Sequence, residues 1–178
     1  MRVDITRAAD LTPADRDALR ALTAAVYPPD AAPFLPGPRV VWAPAEWSVR
    51  IWDDAGALVS HVGLLSRAVL VDDVPVVIGG IGGVKTHPAA RGKGYASAGL
   101  REAVRFFTDE LRVDFALLVC LPPTVPYYAR HGWRRFHGTL LVEQPGGVAP
   151  FTANLPMVLP IDTLAPAGGV IDLCGEPW

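Results

Sequence analysis

The sequence predicts an α/β domain in which helices flank one central mixed β-sheet, and three observations carry that reading. From Trp47 onward, apolar runs of strand length alternate with Asp- and Gly-containing turns. Two stretches, one after Thr12 and one after Gly94, carry apolar residues at helical spacing. The chain has 178 residues, 51% of them hydrophobic and 19% charged, which suits one globular domain over 1–178 with a real core.

Val3 to Ile5 reads as a short strand. Thr12-Pro13-Ala14-Asp15 reads as a helix start, with a capping threonine, proline at the first helical position and an acidic third residue. Leu19, Leu22 and Val26 then share a face. Pro28 and Pro29 end that helix, and the segment to Pro44, with six prolines from Pro28 onward, reads as a loop long enough to belong to a binding site. Trp47 to Trp52 alternates as a strand, and Asp53-Asp54-Ala55-Gly56 is a hairpin turn. Ala57 to Leu70 and Val74 to Thr86 are further strands about an Asp72-Asp73 turn. Leu100, Val104, Phe107 and Leu111 line one side of a helix over Ala98 to Leu111. Phe115 to Cys120 has the length of a buried strand, Tyr127 to Arg130 reads as a short helix, and strands follow near Thr139 to Glu143 and Leu155 to Leu159.

The bulk properties exclude several classes of function. A formal net charge of −2 gives no general attraction to nucleic acid or anionic lipid, so neither is an expected partner. Charges throughout the first twenty residues argue against a signal peptide, and the longest apolar stretch, Val76 to Val84, is too short to span a bilayer. The expected setting is cytoplasmic. Cys120 and Cys174 lack metal-ligand spacing; a disulfide is open on counting, but two free thiols fit a reducing compartment better. No metal is expected.

The run Gly83-Val84-Lys85-Thr86-His87-Pro88 leads into Ala89-Ala90-Arg91-Gly92-Lys93-Gly94-Tyr95-Ala96 and then a helix. Glycines let a turn curl so that several N–H groups point into one concavity, and the helix adds its positive N-terminal end. Arg91 and Lys93 add charge. The result is a pyrophosphate cradle, though it is neither a P-loop nor a dinucleotide fingerprint, since the Gly-Lys-[Ser/Thr] ending and the three-glycine spacing are both missing. The bland alternative is an ordinary glycine-rich turn between a strand and a helix.

The run V-K-T-H-P-A-A-R-G-K-G-Y-A resembles the acetyl-CoA motif of GNAT acetyltransferases. That resemblance implies the GNAT fold, acetyl-CoA as acyl donor and a small amine as acceptor; it leaves a homodimer open. It implies that Val84, Lys85 and Thr86 pair with the pantetheine arm, and that the turn Arg91, Gly92, Lys93, Gly94, Tyr95 and Ala96 holds the pyrophosphate. Tyr127-Tyr128-Ala129-Arg130-His131-Gly132-Trp133 resembles the family's tyrosine segment, so Tyr128 would protonate the departing thiolate. The alternative for Tyr128 is a packing aromatic. From Trp47 to the C-terminus the chain is most similar to aminoglycoside 2'-N-acetyltransferases, through Ala57 to His61, the motif, Tyr128 to Gly138, Leu159-Pro160-Ile161-Asp162 and the tract ending in Trp178. Ser60-His61-Val62-Gly63-Leu64-Leu65 is fainter in its likeness to nodulation N-acyltransferases. In the aminoglycoside enzymes a glutamate in the motif strand is the suggested base, and the matching position here is Gly82.

The missing acid leaves three readings open: an acetyltransferase that finds its base elsewhere, a non-catalytic CoA-binding or regulatory module, and an acyltransferase for a longer donor. His61 is the foremost candidate base among the histidines, ahead of His87, His131 and His137, with a structural role as the alternative for each. Asp172, Glu176 and the terminal carboxylate of Trp178 would suit a cationic acceptor, as would Asp30 and Glu46 in and beside the proline-rich loop. The Trp178 carboxylate is also a candidate to take the amine's proton. Surface solvation is the alternative for all of these. Cys120, in an apolar strand, reads as a buried inert thiol.

Overall fold

The computed structural model describes residues 1–28 and 40–178. Along the described chain run β1 (Arg2–Arg7), α1 (Pro13–Val26), β2 (Trp47–Trp52), β3 (Leu58–Val71), β4 (Val74–Thr86), α2 (Tyr95–Phe106), β5 (Phe115–Cys120), α3 (Val125–Ala129), β6 (Arg134–Arg135), β7 (Thr139–Gln144), β8 (Gly147–Pro150), β9 (Leu155–Pro160) and β10 (Val170–Asp172). The strands form a mixed sheet in the order β6-β9-β5-β4-β3-β10-β7-β8, with β2 also on β3 and β1 on β2. The predicted α/β class is therefore correct. The backbone divides into two compact units, one of Met1–Arg39, Ala45–Leu64 and Gly83–Ala103, the other of Val40–Pro44, Leu65–Gly82 and Val104–Trp178.

In the first unit β1 and β2 pair antiparallel, Arg2 opposite Trp52 and Arg7 opposite Trp47, and β2 pairs antiparallel with the first half of β3. Helix α1 starts where the sequence places it. The Thr12 hydroxyl accepts the Asp15 N–H, the Asp15 carboxylate reaches back to the Thr12 N–H, and Pro13 takes the first turn. Asp15 also forms an ion pair with Arg50 of β2, whose Nη2 donates to Thr6 Oγ1 at 2.7 Å. Hydrogen bonds from Thr12 first, and Arg50 after them, hold the Asp15 carboxyl below its usual range. Gly99 lets α2 close onto the strands, since a Cβ there would stand 2.8 Å from Ile51 Cδ1 and 3.0 Å from Val62 Cγ2.

In the second unit β4 and β5 run parallel from Ile78 opposite Phe115 to Ile81 opposite Leu118, and β9 lies antiparallel on β5. Strand β10 bridges, parallel to β7 and antiparallel to the end of β3. Ile78, Phe115, Leu117, Phe136, Val158 and Ile171 centre the core that these strands enclose, and Trp178 belongs to the same core. After α2 the chain widens into a π-helical turn, Phe107–Leu111, and leaves it through Arg112 in the left-handed region at φ 48°. The helix predicted over Ala98 to Leu111 thus begins earlier and changes character at Phe107. Cys120 is buried, Cys174 is exposed, and both are free thiols. Among the described residues no helix is long and apolar enough to cross a membrane, and no group of side chains is arranged to hold a metal.

Candidate active site

The glycine turn is built as its sequence requires. His87 N–H donates to Val59 O at 2.9 Å, and the His87 ring accepts the Ala89 N–H through Nδ1 at 3.2 Å. A single 3₁₀ turn, Pro88–Ala90, leads to Arg91, whose Nε donates to Thr86 O at 3.4 Å. Gly92 and Gly94 then take φ of +75° and +82°, and a Cβ at either would meet nothing within 4 Å. Glycine is needed there for its backbone conformation and not for room. Ala98 N–H donates to Gly94 O at 3.0 Å, so α2 starts at once and leaves the Tyr95 and Ala96 amides at its N-terminal end without an acceptor inside the helix. Arg91, Gly92, Lys93 and Gly94 are exposed. An exposed helix N-terminus flanked by two cations suits an anion such as a pyrophosphate.

Val84, Lys85 and Thr86 form the last residues of β4 before that turn. The Ser60 hydroxyl of β3 donates to Lys85 O at 3.0 Å, so its 2.8 Å contact with Thr86 Oγ1 is the threonine donating to it. The Lys85 ammonium donates to Thr23 Oγ1 of α1 at 3.0 Å, and burial lowers its pKa.

His61 sits on β3 with both ring nitrogens engaged. Nδ1 lies 3.1 Å from Gly83 O, which can only accept, so Nδ1 carries the proton; Nε2, 3.1 Å from Ser48 Oγ, accepts from that hydroxyl. Burial pushes the imidazole pKa down to about 4, and it is neutral at pH 7. Because the unfolded chain would bind a proton at about pH 6.5 and the folded ring resists it, stability falls as pH drops through that window. From pH 7.5 to 5 the wild type should lose about 2 kcal/mol more than His61→Gln does. Urea titrations of both proteins at the two pH values check this, and parallel losses would contradict it.

Tyr128 is buried on the short helix α3, with Tyr127 edge-on at 5.2 Å and Trp133 at 6.4 Å between ring centroids. Its carbonyl accepts the His131 and Trp133 N–H groups. The helix, the Gly132 turn at φ +86° and the Trp133 ring thus fix the tyrosine in one place.

Residues 173–178 are packed against the strands. The Trp178 side chain is buried, and its Nε1 donates to Leu117 O of β5 at 3.1 Å. Gly80 leaves the space for it, since a Cβ there would lie 2.4 Å from the indole. Two residues further along β4, a Cβ at Gly82 would lie 2.9 Å from the Trp178 carbonyl carbon. The space in which a side chain at position 82 would start is therefore filled by the main chain of Trp178. Pro177 O accepts the Ala43 N–H at 2.7 Å, and Gly175 O accepts the Glu143 N–H at 2.8 Å.

The other sequence candidates divide. Glu176 lies in this tail, half-buried, with its carbonyl accepting from Arg67 Nη1 at 2.7 Å. Asp172 Oδ1 accepts the Cys174 N–H at 2.8 Å, which is a turn contact. Glu46 is exposed at the start of β2, where its main chain bonds Leu64 and Ala8. Asp30 lies outside the described residues. Sequence reasoning missed Gly80, Arg67 and the Leu117 carbonyl, which seat the tail. The one signal for them was the Gly79-Gly80 pair inside a strand, a mark of close approach by another group.

The model of the acetyltransferase (GNAT) domain family matches residues 8–136. The chain belongs to this family. A search of curated proteins gives no match. Among solved structures, the GNAT N-acetyltransferase YhbS of Escherichia coli in complex with CoA superposes with a TM-score of 0.60 at 17% identity, covering 97% of this chain and 90% of YhbS. A GNAT acetyltransferase of Brucella melitensis in complex with acetyl-CoA gives 0.58 at 16% identity, covering 96% of this chain and 94% of that one. An acyl-CoA N-acyltransferase of Pseudomonas aeruginosa gives 0.58 at 21%, covering 89% and 98%. These likenesses establish the GNAT fold.

Proposed function

We propose that this GNAT protein transfers an acetyl group from acetyl-CoA to a primary amine of a small molecule. The observation that carries the reading is the β4–turn–α2 unit, in which Gly92 and Gly94 adopt positive φ directly before an exposed helix N-terminus flanked by Arg91 and Lys93. Val84 to Thr86 pair with the pantetheine arm, and the amides of the turn hold the pyrophosphate. The CoA and acetyl-CoA complexes of similar folds support this donor.

The amine lone pair attacks the thioester carbonyl carbon and forms the C–N bond. The tetrahedral oxyanion collapses, the C–S bond breaks, and the thiolate takes a proton from Tyr128, whose phenol is the general acid. The amine's own proton goes to solvent water, since Gly82 carries no acid and the main chain of Trp178 stands where a side chain there would start. We assign His61 a holding role, because both of its nitrogens are committed to β2 and β4 and it is neutral at pH 7. An aminoglycoside-like polyamine is the acceptor to try first. Glu176 would draw its cations, with Trp178 lining the site and Asp172, Glu46 and Asp30 in lesser parts.

The donor site is tested by Gly94→Val. A β-branched residue at φ +82° is strained by roughly 1–3 kcal/mol, which the turn relieves by leaving its geometry. Isothermal titration should show acetyl-CoA affinity reduced about tenfold or more with the fold retained. Unchanged affinity would remove the turn from the donor site.

A further inference from the structure

We infer that His61 is a positioning residue for the donor: its ring keeps the Gly83–Val84 peptide turned so that the Val84 N–H faces the pantetheine arm. The inference rests on the proposed pairing of Val84 to Thr86 with that arm.

Gly83 breaks the regular course of β4. It takes φ +57° inside the strand and is exposed, and its carbonyl accepts from His61 Nδ1 at 3.1 Å. The direction of that carbonyl follows from the faces of the strands. Arg50 of β2 stands opposite His61 in register, and directly opposed residues share a face. Arg50 pairs with Asp15 of α1, so the His61 ring lies on the α1 side. Ile51 and Val62, one residue further along each strand, point the other way and pack against α2 at Gly99. Gly83 O is therefore turned toward the α1 side. A trans peptide is planar, and its N–H points opposite to its C=O. The Val84 N–H accordingly points to the other side, on which α2 starts from the glycine turn.

The His61 ring suits this task. It is neutral at pH 7, so one nitrogen donates while the other accepts. Nε2 accepts from the Ser48 hydroxyl at 3.1 Å, which leaves the ring proton on Nδ1 for Gly83 O. Ser60, next to His61 on β3 and so on the opposite face, donates to Lys85 O at 3.0 Å. Val84 thus lies between two carbonyls of β4 that side chains of β3 hold from opposite faces. Loss of the His61 bond frees the Gly83–Val84 peptide to rotate, and the Val84 N–H then leaves the direction of the arm.

Isothermal titration of CoA and of 3'-phospho-ADP, which is CoA without its pantetheine arm, tests this in the wild type, His61→Gln and His61→Asn. An asparagine amide nitrogen reaches about the place of Nδ1, whereas that of glutamine reaches the place of Nε2 and leaves Gly83 O without its donor. His61→Gln should weaken CoA binding about three- to tenfold, the net worth of one hydrogen bond, with 3'-phospho-ADP unchanged. His61→Asn should recover most of that loss. A merely structural role would weaken both ligands alike. Nitrogen NMR of the ligand-free wild type should place the His61 ring proton on Nδ1, a readout that needs no variant. Wild-type CoA affinity in His61→Gln, equal losses for the two ligands, no gain of His61→Asn over His61→Gln, or a wild-type ring protonated on Nε2 overturns the inference. A wild-type protein that binds CoA no more tightly than 3'-phospho-ADP contradicts the pairing of β4 with the arm itself, so the two failures are told apart.

Discussion

Removal of Pro177 and Trp178 should lower acceptor turnover about tenfold or more while leaving acetyl-CoA affinity unchanged. The Trp178 indole sits in the slot left at Gly80 and donates to Leu117 O, and its carbonyl carbon stands 2.9 Å from where a Cβ at Gly82 would be. These residues follow directly on Glu176, which is proposed to draw the acceptor's cations, and a displacement of about 1 Å in a positioning group can cost up to about 10²-fold in rate. Steady-state kinetics and calorimetry on the same protein separate the two effects. Wild-type turnover in the shortened protein would leave residues 177 and 178 without a part in acceptor binding.

Tyr128→Phe should also lower kcat, by about 10²-fold, with little change in acetyl-CoA affinity. A phenol carries an O–H that can donate to a thiolate as the C–S bond breaks. The substitution keeps the ring that packs edge-on against Tyr127 and Trp133, so the fold should be preserved and the loss confined to the hydroxyl. A variant with full kcat would return Tyr128 to the role of a packing aromatic.

Much of the fold, and the glycine turn proposed to hold the donor, was legible from local signals. Thr12-Pro13-Ala14-Asp15 encodes a helix start whose hydrogen bonds all lie within four residues. Gly92 and Gly94 lie where the backbone needs positive φ, which is why a turn between strand and helix could be read from the residues alone. Strands β6, β8 and β10 could not be read in this way. They are two to four residues long and exist because partners distant in sequence hold them, as β7 and β3 hold β10. His61 looked like a catalytic candidate as a residue type; only its burial and its bonds to Gly83 and Ser48 give it a neutral, committed ring. The packing of residues 173–178 was least legible. The placement of Trp178 depends on Gly80, Leu117 and Arg67, three positions on three strands that no local pattern links.

Acetyl-CoA turnover against a panel of primary amines, followed by release of the CoA thiol, tests the central claim most directly. Amine-dependent thiol release matched one for one by acetylated amine, and lowered about tenfold or more in Gly94→Val at a sub-saturating acetyl-CoA concentration, is the predicted result. Tight acetyl-CoA binding with no amine raising thiol release above spontaneous hydrolysis would contradict it and leave a CoA-binding module without transferase activity.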